Sequence, residues 1–484
     1  MWEILSAYWP HILGFVSLAL TVVAASHAAM TKDEVRAAIG WVGVIVLSPI
    51  VGPLIYAVGG INRIRRASIV SQRRQKLAYP LAQTFEVSDA EIAGDVGRRF
   101  AALKTLGDKA TRRHLKTGNA IAVLRTGDEA YAAMIAAIEA AERSIILETY
   151  IFDRDPLGLR IADALIAAHG RGVAVRVLID AVGARYSVPS IVGYLQKGGV
   201  PVDVFNGNII MGLRLPYANL RTHRKLLIVD GRIAFAGGMN IRQGFTTEFA
   251  GEAAGHDTHF RVEGPVVEDL FGVAAEDWRF ASGEELAGET WAVTPQSASQ
   301  GPLVLMRAVA SGPDASLETN HKLLIGAFSV ARESIRIMSP YFLPDRELIS
   351  ALVTAARRGV AIDIVVPDVN NLVLVDRAMR AQFDQVLKDG CRVWRATGSF
   401  DHSKLLAIDG SWAYVGSSNL DARSLRLNFE IDLEVLDESF ARGIEERINA
   451  AIARSRPVTL KELRARPFPL RLLDRMLWLC SPYL

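Results

Sequence analysis

A histidine and a lysine two residues apart occur in two similarly built stretches of this sequence. Each stretch carries a His, a Lys, an Asp and an Asn at the same spacing: His223, Lys225, Asp230 and Asn240 in the first, and His402, Lys404, Asp409 and Asn419 in the second. Between Lys and Asn, an apolar run, an Asp-Gly pair and a second apolar run predict a β-hairpin. Because alternate side chains of a strand share a face, each His should point the same way as its Lys.

These residue types suit chemistry at phosphorus. An imidazole titrates near neutrality and acts as a nucleophile or as a general acid or base. A Lys ammonium group and an Asn amide supply donors for phosphate oxygens. Two such sets facing each other would allow a double displacement without a metal or another cofactor: one His attacks phosphorus, and the other protonates the leaving alcohol and then deprotonates the incoming one. One motif alone would be explained by an ordinary hairpin, and Asp-Gly turn chemistry alone would explain its Asp; the duplication favours a site.

Each hairpin ends a longer repeat of helices and strands. In the first copy a helix over about 129–141 precedes apolar strands at 144–152 and 171–180. In the second copy a helix over about 322–331 precedes a strand that begins at Ser334. This alternation predicts a layered α/β fold with helices on both faces of a mixed sheet. The duplication predicts two pseudo-symmetric lobes, with the active site at their interface.

Composition divides the chain into six predicted parts. They are a transmembrane hairpin at 1–60, a basic juxtamembrane linker at 61–117, a first lobe at 118–282, an inter-lobe linker at 283–302, a second lobe at 303–455 and a basic amphipathic tail at 456–484. The inter-lobe linker is rich in Gly, Ser, Thr, Glu and Gln. The tail would either lie in a membrane interface or pack on the catalytic body.

Two apolar runs without formal charge, at about 8–28 and 38–59, open the chain. Each has about the 20 residues that a helix needs to cross a bilayer. Pro49 and Pro53 interrupt the second run, so a re-entrant or interfacial segment is the alternative, whereas a signal peptide is disfavoured because the first run lacks a basic start. Basic residues follow at 63–66 and 73–76, so the positive-inside rule predicts a cytoplasmic catalytic part. The same cluster would attract anionic lipids.

Overall composition and the absence of several motifs argue against nucleic-acid binding, a disulfide-based fold, a metal site and nucleotide binding. Half of the residues are hydrophobic and the net charge is only +3, so nothing indicates a nucleic-acid partner. The two cysteines, Cys391 and Cys480, exclude a disulfide framework. His256 and His259 invite a zinc interpretation, but they lack Cys partners and a His-Glu-x-x-His helix, so no metal is predicted. There is no Gly-rich phosphate loop and no dinucleotide fingerprint.

The paired His-x-Lys-x4-Asp motifs, followed by Gly-Gly-Met-Asn and Gly-Ser-Ser-Asn, resemble those of the phospholipase D superfamily. Nearly the whole chain, including its apolar start, resembles the bacterial cardiolipin synthases of that superfamily. The resemblance implies transfer of a phosphatidyl group between two phosphatidylglycerol molecules at the inner membrane, giving cardiolipin and glycerol through a phosphohistidine. It favours His223 as the nucleophile and His402 as the acid and then the base. Lys225, Lys404, Asp230 and Asp409 complete the implied catalytic set, the two aspartates in a supporting role.

The resemblance also implies which side chains surround the two histidines. Residues expected to hold phosphate oxygens are Lys225, Lys404, Asn240, Asn419 and Ser417. A nucleophilic His needs its far ring nitrogen held by an acceptor. Glu430 is the expected partner of His402 and Asp257 that of His223, although lobe one departs here from the lobe-two pattern. These pairings keep each carboxylate within the lobe of its His.

Several questions stay open at the level of sequence. Tyr150 and Tyr341 end apolar strands and either approach the substrate or are core aromatics. The alternative functions are a phospholipase D or transphosphatidylase with another acceptor, a superfamily nuclease, and a catalytically inactive membrane-anchored binding protein. The membrane hairpin disfavours the nuclease, and two intact motifs disfavour the inactive protein. The expected partners are phosphatidylglycerol and anionic membrane lipids; oligomeric state is not predicted.

Overall fold

A computed structural model describes residues 2–32, 34–60, 85–206, 220–314 and 316–481. The chain forms two compact units, an N-terminal one within residues 1–65 and a larger one that contains both lobes. The basic residues at 63–66 and 73–76, on which the topology prediction depends, lie outside the described residues.

The N-terminal unit is an apolar helical hairpin. Its helices are α1 (Trp2–Thr31), α2 (Val35–Leu47) and α3 (Val51–Ile55), followed by a π-helical turn at Tyr56–Gly60. Tyr8–Thr31, with 24 residues and a mean hydropathy of 1.9, is the one described helix that is long and apolar enough to cross a membrane, a property that spans share with signal sequences. The predicted second span is divided at Pro49, which lacks a backbone donor. A second full crossing therefore stays a prediction.

The larger unit alternates helices and strands along the chain. Its helices of four or more residues are α4 (Asp89–Asp95), α5 (Arg98–Thr111), α6 (Gly127–Glu139), α7 (Pro156–Gly170), α8 (Ile191–Lys197), α9 (Thr247–Ala250), α10 (Val266–Ser282), α11 (Thr319–Val330), α12 (Arg346–Arg357), α13 (Val373–Leu387), α14 (Ala422–Arg426), α15 (Glu438–Ile452), α16 (Leu460–Ala465) and α17 (Phe468–Leu479). The side chains of Thr126, Asp155 and Asp345 each accept a hydrogen bond from the first turn of a helix, which explains where α6, α7 and α12 begin.

The strands follow the predicted repeat. They are β1 (Lys116–Leu124), β2 (Ser144–Thr149), β3 (Ala174–Asp180), β4 (Val202–Phe205), β5 (Arg221–Thr222), β6 (Leu226–Val229), β7 (Ile233–Gly237), β8 (His259–Glu263), β9 (Val304–Ser311), β10 (Ser334–Met338), β11 (Phe342–Leu343), β12 (Ala361–Pro367), β13 (Arg392–Ala396), β14 (Leu405–Ile408), β15 (Trp412–Gly416), β16 (Leu420–Asp421), β17 (Asn428–Leu436) and β18 (Ser455–Val458).

One mixed sheet of sixteen described strands joins both lobes. Its order is β18-β13-β12-β10-β14-β15-β17-β9-β1-β8-β7-β6-β2-β3-β4, with β5 pairing β17 beside this path. The antiparallel pair β1–β9 lies at the centre of the sheet. Apart from β18, each strand on one side of this pair has an equivalent strand of the other lobe at the same distance on the other side. Towards each edge the pairs become parallel: β2–β3 and β3–β4 in lobe one, β10–β12 and β12–β13 in lobe two. The predicted α/β fold of two pseudo-symmetric lobes is confirmed.

Each lobe has its own hydrophobic core. Ile145, Val177 and Phe235 lie in the lobe-one core, and Ile337 and Ile364 lie in that of lobe two. Every residue of β2 is buried, as expected for an apolar strand that is covered on both faces. The two cores hold the strands rigidly, so the loops at the strand ends can place functional side chains.

Two predicted boundaries need correction. The described part of the predicted 61–117 linker forms α4 and α5, and Ile92, Phe100 and Leu103 from these helices lie in the lobe-two core. The start of the predicted tail forms β18, which pairs antiparallel with β13 at the edge of the sheet. These apolar residues were missed because they are spread through polar sequence, where the composition indicated only a connector.

Candidate active site

Each His-x-Lys motif runs into a β-hairpin with the same turn. β6 pairs with β7 and β14 with β15, both antiparallel. At the turns, Asp230 and Gly231 have φ of 54° and 64°, and Asp409 and Gly410 have φ of 51° and 58°. Two consecutive positive φ values are the signature of a type I′ hairpin turn, for which Asp-Gly is a preferred pair. The hairpins are therefore formed as the sequence predicted.

Asp230 and Asp409 fasten these turns to the body of each lobe. The Asp230 carboxylate accepts hydrogen bonds at 2.7–3.0 Å from the backbone N–H groups of three consecutive residues, Glu142, Arg143 and Ser144. The Asp409 carboxylate accepts three equivalent bonds at 2.8–2.9 Å from Arg332, Glu333 and Ser334. Neither aspartate lines the cavity that contains the histidines. The contacts of both aspartates are those of the expected supporting role, since they anchor the turns that present the histidines.

His223 and His402 line a single cavity of about 840 Å³ between the two lobes. Two tyrosines that the sequence left open line it as well. The ring centroids of Tyr150 and His223 are 5.2 Å apart, and those of Tyr341 and His402 are 6.3 Å apart. The duplicated half-sites thus contribute equivalent His and Tyr pairs to one space.

Each histidine is held by a carboxylate of the opposite lobe. His223 Nδ1 lies 2.9 Å from Glu430 Oε2, and His402 Nδ1 lies 2.8 Å from Asp257 Oδ2. The predicted pairings within a lobe were wrong, because the two carboxylates are exchanged. A carboxylate at Nδ1 favours the tautomer with the proton on that nitrogen, which leaves Nε2 unprotonated for reaction.

Backbone pairing across the lobe boundary explains the exchange. β5, directly before His223, pairs with the start of β17, and the His223 N–H donates to the Phe429 carbonyl at 2.8 Å. In the other half the His402 N–H donates to the His256 carbonyl at 2.7 Å. The segment before each His therefore lies against the carboxylate-bearing segment of the other lobe.

Asp257 and Glu430 occupy equivalent positions in their lobes. Gly237 pairs with His259 and Gly416 with Asp432, so each carboxylate lies two residues before the partner of its hairpin glycine. The sequence identified the right two acids and assigned them to the wrong histidines.

The residue after each hairpin glycine lies against the carboxylate of its own lobe, Asp257 in lobe one and Glu430 in lobe two. A Cβ added at Gly238 would lie 2.5 Å from Asp257 Oδ1, so only glycine fits without displacing it. The equivalent Ser417 donates its hydroxyl to Glu430 Oε2 at 2.6 Å. Ser417 is not among the residues that line the cavity, and its hydroxyl group positions Glu430. Its role as a phosphate ligand stays a prediction.

The predicted lysines lie beside their histidines, and the asparagines line the cavity. Lys225 Nζ donates to the His223 carbonyl at 2.6 Å, and Lys404 Nζ donates to the His402 carbonyl and lies 2.9 Å from His402 Nδ1. Asn240 Oδ1 accepts from the Ile151 N–H at 3.2 Å. Asn419 Oδ1 is buried and has no hydrogen-bond partner in the described structure, so it is available to a ligand hydroxyl group.

Burial shifts the pKa values of the two histidines and the two lysines. Burial, followed by the charge of Lys404, lowers the pKa of His402 to about 4, and burial with Lys225 lowers the pKa of His223 as well. Burial also lowers the pKa of Lys225 to about 7 and that of Lys404 to about 8. Both imidazoles are therefore neutral near pH 7 in the free protein, as a nucleophile requires. An anionic phosphodiester would raise all four pKa values.

Sequence reasoning missed the arginines of the cavity. They are Arg154, Arg221, Arg242 and Arg423. Arg242 makes two hydrogen bonds with Asp153 Oδ2, at 3.0 and 2.8 Å, whereas the Arg221 Nε is 3.9 Å from Asp180 Oδ1. A signal existed for Arg221, which precedes His223 by two residues and so shares its strand face. Arg423 belongs to a polar cluster that the sequence showed without indicating its place.

A duplicated α/β fold with one His-x-Lys half-site per lobe defines a phospholipase D-like enzyme. The family described as "Cardiolipin synthase, PLD-like domain" matches residues 134–250 and 324–452, and the family "Phospholipase D-nuclease N-terminal" matches residues 19–60. The cardiolipin synthase of Alkalihalophilus pseudofirmus is 32% identical over 92% of this chain and 88% of its own, and cardiolipin synthase A of Pectobacterium carotovorum is 31% identical over 100% and 98%. The chain belongs to the cardiolipin synthase family of phospholipase D-like phosphatidyltransferases.

A solved structure supports the fold independently. Phosphatidylserine synthase of Haemophilus influenzae superimposes with a TM-score of 0.60, covers 79% of this chain and 100% of its own, and is 17% identical. At that identity the likeness concerns the fold alone. The two-lobed sheet is therefore shared well beyond the family.

Proposed function

We propose that this protein transfers a phosphatidyl group from one phosphatidylglycerol to another, giving cardiolipin and glycerol through a phosphohistidine. The observation that carries the proposal is that two imidazoles, each with Nδ1 held by a carboxylate of the opposite lobe, line one cavity. The family supports the lipid product. Since one phosphodiester replaces another, the exchange needs no nucleotide.

In the first half-reaction, Nε2 of one neutral imidazole attacks phosphorus of the donor lipid. The P–N bond forms as the P–O bond to glycerol breaks, and the other imidazole, protonated once the anionic lipid has entered, gives its proton to the departing oxygen. In the second half-reaction this imidazole removes the proton from the terminal hydroxyl group of the acceptor lipid. The freed oxygen attacks phosphorus and the P–N bond breaks, so both histidines regain their initial state.

We assign His223 as the nucleophile and His402 as the acid and then the base. Each lysine donates to the carbonyl of its own histidine, but Lys404 Nζ also lies 2.9 Å from the ring nitrogen Nδ1 of His402. A cation against the ring makes an imidazole less nucleophilic and its protonated form a stronger acid. The family resemblance favours the same assignment.

Charged and amide groups around the histidines would stabilise the phosphorane-like transition state. We assign this role to Lys225, Lys404, Asn240 and Asn419, with Arg221 and Arg423 facing the second lipid phosphate. Buried donors act on developing charge more strongly than donors in water do. Removing one such donor is expected to lower kcat by about 10²-fold or more.

Lipid analysis tests the reaction. The full chain is expressed in a cardiolipin-deficient bacterium, and the purified protein is incubated with phosphatidylglycerol labelled in its head group. Cardiolipin with equimolar free glycerol is expected. Phosphatidic acid as the main product would show that water is the acceptor and would replace the proposal by a phospholipase D. His223→Ala and His402→Ala should abolish product, whereas His114→Ala, at an exposed histidine outside the cavity, should not.

Trapping tests the intermediate. Brief turnover of ³²P-labelled phosphatidylglycerol, followed by denaturation, should leave acid-labile, base-stable label on the peptide that contains His223. His402→Ala should still permit slow labelling, and His223→Ala should not. Label on the His402 peptide would reverse the assignment.

We further propose that the N-terminal hairpin anchors the catalytic unit at the cytoplasmic face of the inner membrane. The apolar helix Tyr8–Thr31 and the basic residues that follow at 63–66 and 73–76 support this topology. Among reporters fused after residue 60, one that is active only in the cytoplasm should give a signal, and one that is active only in the periplasm should not. A periplasmic signal there would contradict the proposal.

A further inference from the structure

The C-terminal helix α17 carries its apolar stripe on the outside. Phe468, Leu472, Met476 and Leu479 are spaced by four, four and three residues and so share one face of the helix. Phe468 is 70% exposed and Leu479 is 72% exposed, and the other two are also exposed. A helix on a soluble surface normally places such a stripe against the core.

The opposite face of α17 holds the helix in this orientation. Asp474, its one acidic residue, is buried and accepts hydrogen bonds from Arg466 and, at 3.4 Å, from Arg377. Trp478 Nε1 donates to Gln382 Oε1 of α13 at 2.9 Å, and its ring packs on the lobe-two core. The polar contacts thus face inward and leave the apolar stripe exposed.

A second group of exposed apolar side chains lies beside the active-site cavity, at the start of the helix that contacts α17. Val369 and Leu372, which precede α13, and Val373 and Leu374, at its start, are all exposed, and Val369 is 76% exposed. Leu372 also lines the cavity, as does Ser481, two residues beyond α17. We call the outer stripe of α17 together with these four residues the apolar rim.

Exposed arginines lie on and beside α17. Arg471 and Arg475 of α17 are exposed, Arg464 is exposed and lies 3.4 Å from Asp384, and Asp474 is turned inward. Exposed apolar side chains beside arginines are the composition of a helix that lies in the interface of an anionic bilayer. A large contiguous apolar patch on a protein surface marks an interaction site.

We propose that the apolar rim docks the catalytic unit on an anionic phospholipid bilayer, so that the cavity mouth opens directly into the lipid head groups. The proposal rests on the proposed function in one respect: a phosphatidylglycerol substrate would reach the histidines from the bilayer without crossing water. The docking is additional to the N-terminal hairpin and concerns lobe two alone.

A native cysteine allows the full chain to test this proposal. Cys480 follows α17 and is exposed, whereas Cys391 is buried. Cys480 is labelled with bimane, and the protein is placed in nanodiscs of phosphatidylcholine and phosphatidylglycerol with brominated acyl chains. We expect the bromine to quench the bimane fluorescence at least two-fold, and more strongly as the phosphatidylglycerol fraction rises. Unquenched fluorescence in these nanodiscs would overturn the proposal.

Polar substitutions of the rim should separate docking from chemistry. Phe468→Gln/Met476→Gln should abolish most quenching and lower turnover of nanodisc phosphatidylglycerol several-fold, with unchanged turnover of short-chain phosphatidylglycerol in micelles. Leu303→Gln, at another exposed leucine, is the matched control and should change neither. Arg471→Gln/Arg475→Gln should remove only the dependence of quenching on the phosphatidylglycerol fraction. Arg232→Gln, at an exposed arginine elsewhere, is the matched control.

The outcomes are distinguishable from failure of the proposed function. Quenching without cardiolipin formation from any substrate would refute the reaction and keep the docking. Quenching that persists in Phe468→Gln/Met476→Gln would overturn the docking. The docking would also be overturned if light scattering in detergent showed a dimer that Phe468→Gln/Met476→Gln loses, because the rim would then contact a second copy of the chain. If the double variant misfolds, the single variant Leu479→Gln tests the docking instead, and we expect a smaller loss of quenching from it.

Discussion

At the scale of single residues, the site depends on two carboxylates that cross between lobes. Glu430 of lobe two contacts His223, and Asp257 of lobe one contacts His402. Each half-site is therefore incomplete without the other lobe. Ser417 donates a hydrogen bond to Glu430, and the missing side chain at Gly238 leaves room for Asp257.

The exchanged pairing predicts a selective effect on each imidazole. Glu430→Gln should shift the ¹⁵N resonances of the His223 ring and leave those of His402 unchanged, and Asp257→Asn should do the reverse. Both variants should lower kcat by about 10²- to 10⁴-fold, because the neutral amide no longer stabilises the working tautomer or its protonated form. Glu438→Gln, on the surface of α15, is the control. Shifts confined to the histidine of the same lobe would contradict the exchange.

The buried lysines predict how activity depends on pH. The pKa of Lys225 is lowered to about 7 and that of Lys404 to about 8, in both cases chiefly by burial. As the pH rises through these values, the ammonium groups of the free protein lose their charge, so kcat/KM should fall. kcat should fall less, because a bound phosphate keeps the lysines protonated. Profiles of both constants across neutral pH check this, and a kcat/KM that stays level through pH 8 would contradict it.

At the scale of elements, the hairpins have a structural anchor separate from the chemistry. The Asp230 and Asp409 carboxylates each bind three backbone N–H groups at the start of the neighbouring strand. Their own backbones adopt the left-handed conformation of the turn. The Asp of each motif therefore belongs to the architecture that presents the His.

Substitution of Asp230 should separate stability from catalysis. Asp230→Ala is expected to lower the free energy of unfolding by about 1–3 kcal/mol, because three backbone N–H groups lose their charged acceptor. Asp230→Asn should lose less, since Asn tolerates a positive φ and keeps one acceptor oxygen. Denaturant titration checks both values, and activity per folded molecule should stay near that of the parent. A stable Asp230→Asn protein without turnover would return Asp230 to the catalytic set.

At the scale of the whole molecule, one continuous sheet fixes the two half-sites relative to each other. β1 and β9 pair at its centre, and β9 also pairs with β17, the strand that bears Glu430. Buried Arg307 of β9 contacts Glu434 of β17 at 2.8 Å. The cavity is therefore built within one chain.

This construction predicts that two inactive variants cannot complement each other. Co-expressed His223→Ala and His402→Ala chains should form no cardiolipin, because each cavity takes both histidines from the same chain. Lipid analysis of the cardiolipin-deficient host checks the outcome, with parent protein at the same expression level as the control. Restored cardiolipin would show that lobes exchange between chains.

The sequence by itself determined the repeated elements, the hairpin turns and the residue types of both half-sites. These depend on local periodicity and turn chemistry, and the equal spacing from His to Asn in the two copies made the duplication visible. Only the tertiary structure decided which carboxylate meets which histidine, because His223 and Glu430 are 207 residues apart. Pseudo-symmetric lobes offer equivalent partners at both positions. The backbone pairing of β5 with β17 selects between them, and that contact has no local signature in the chain.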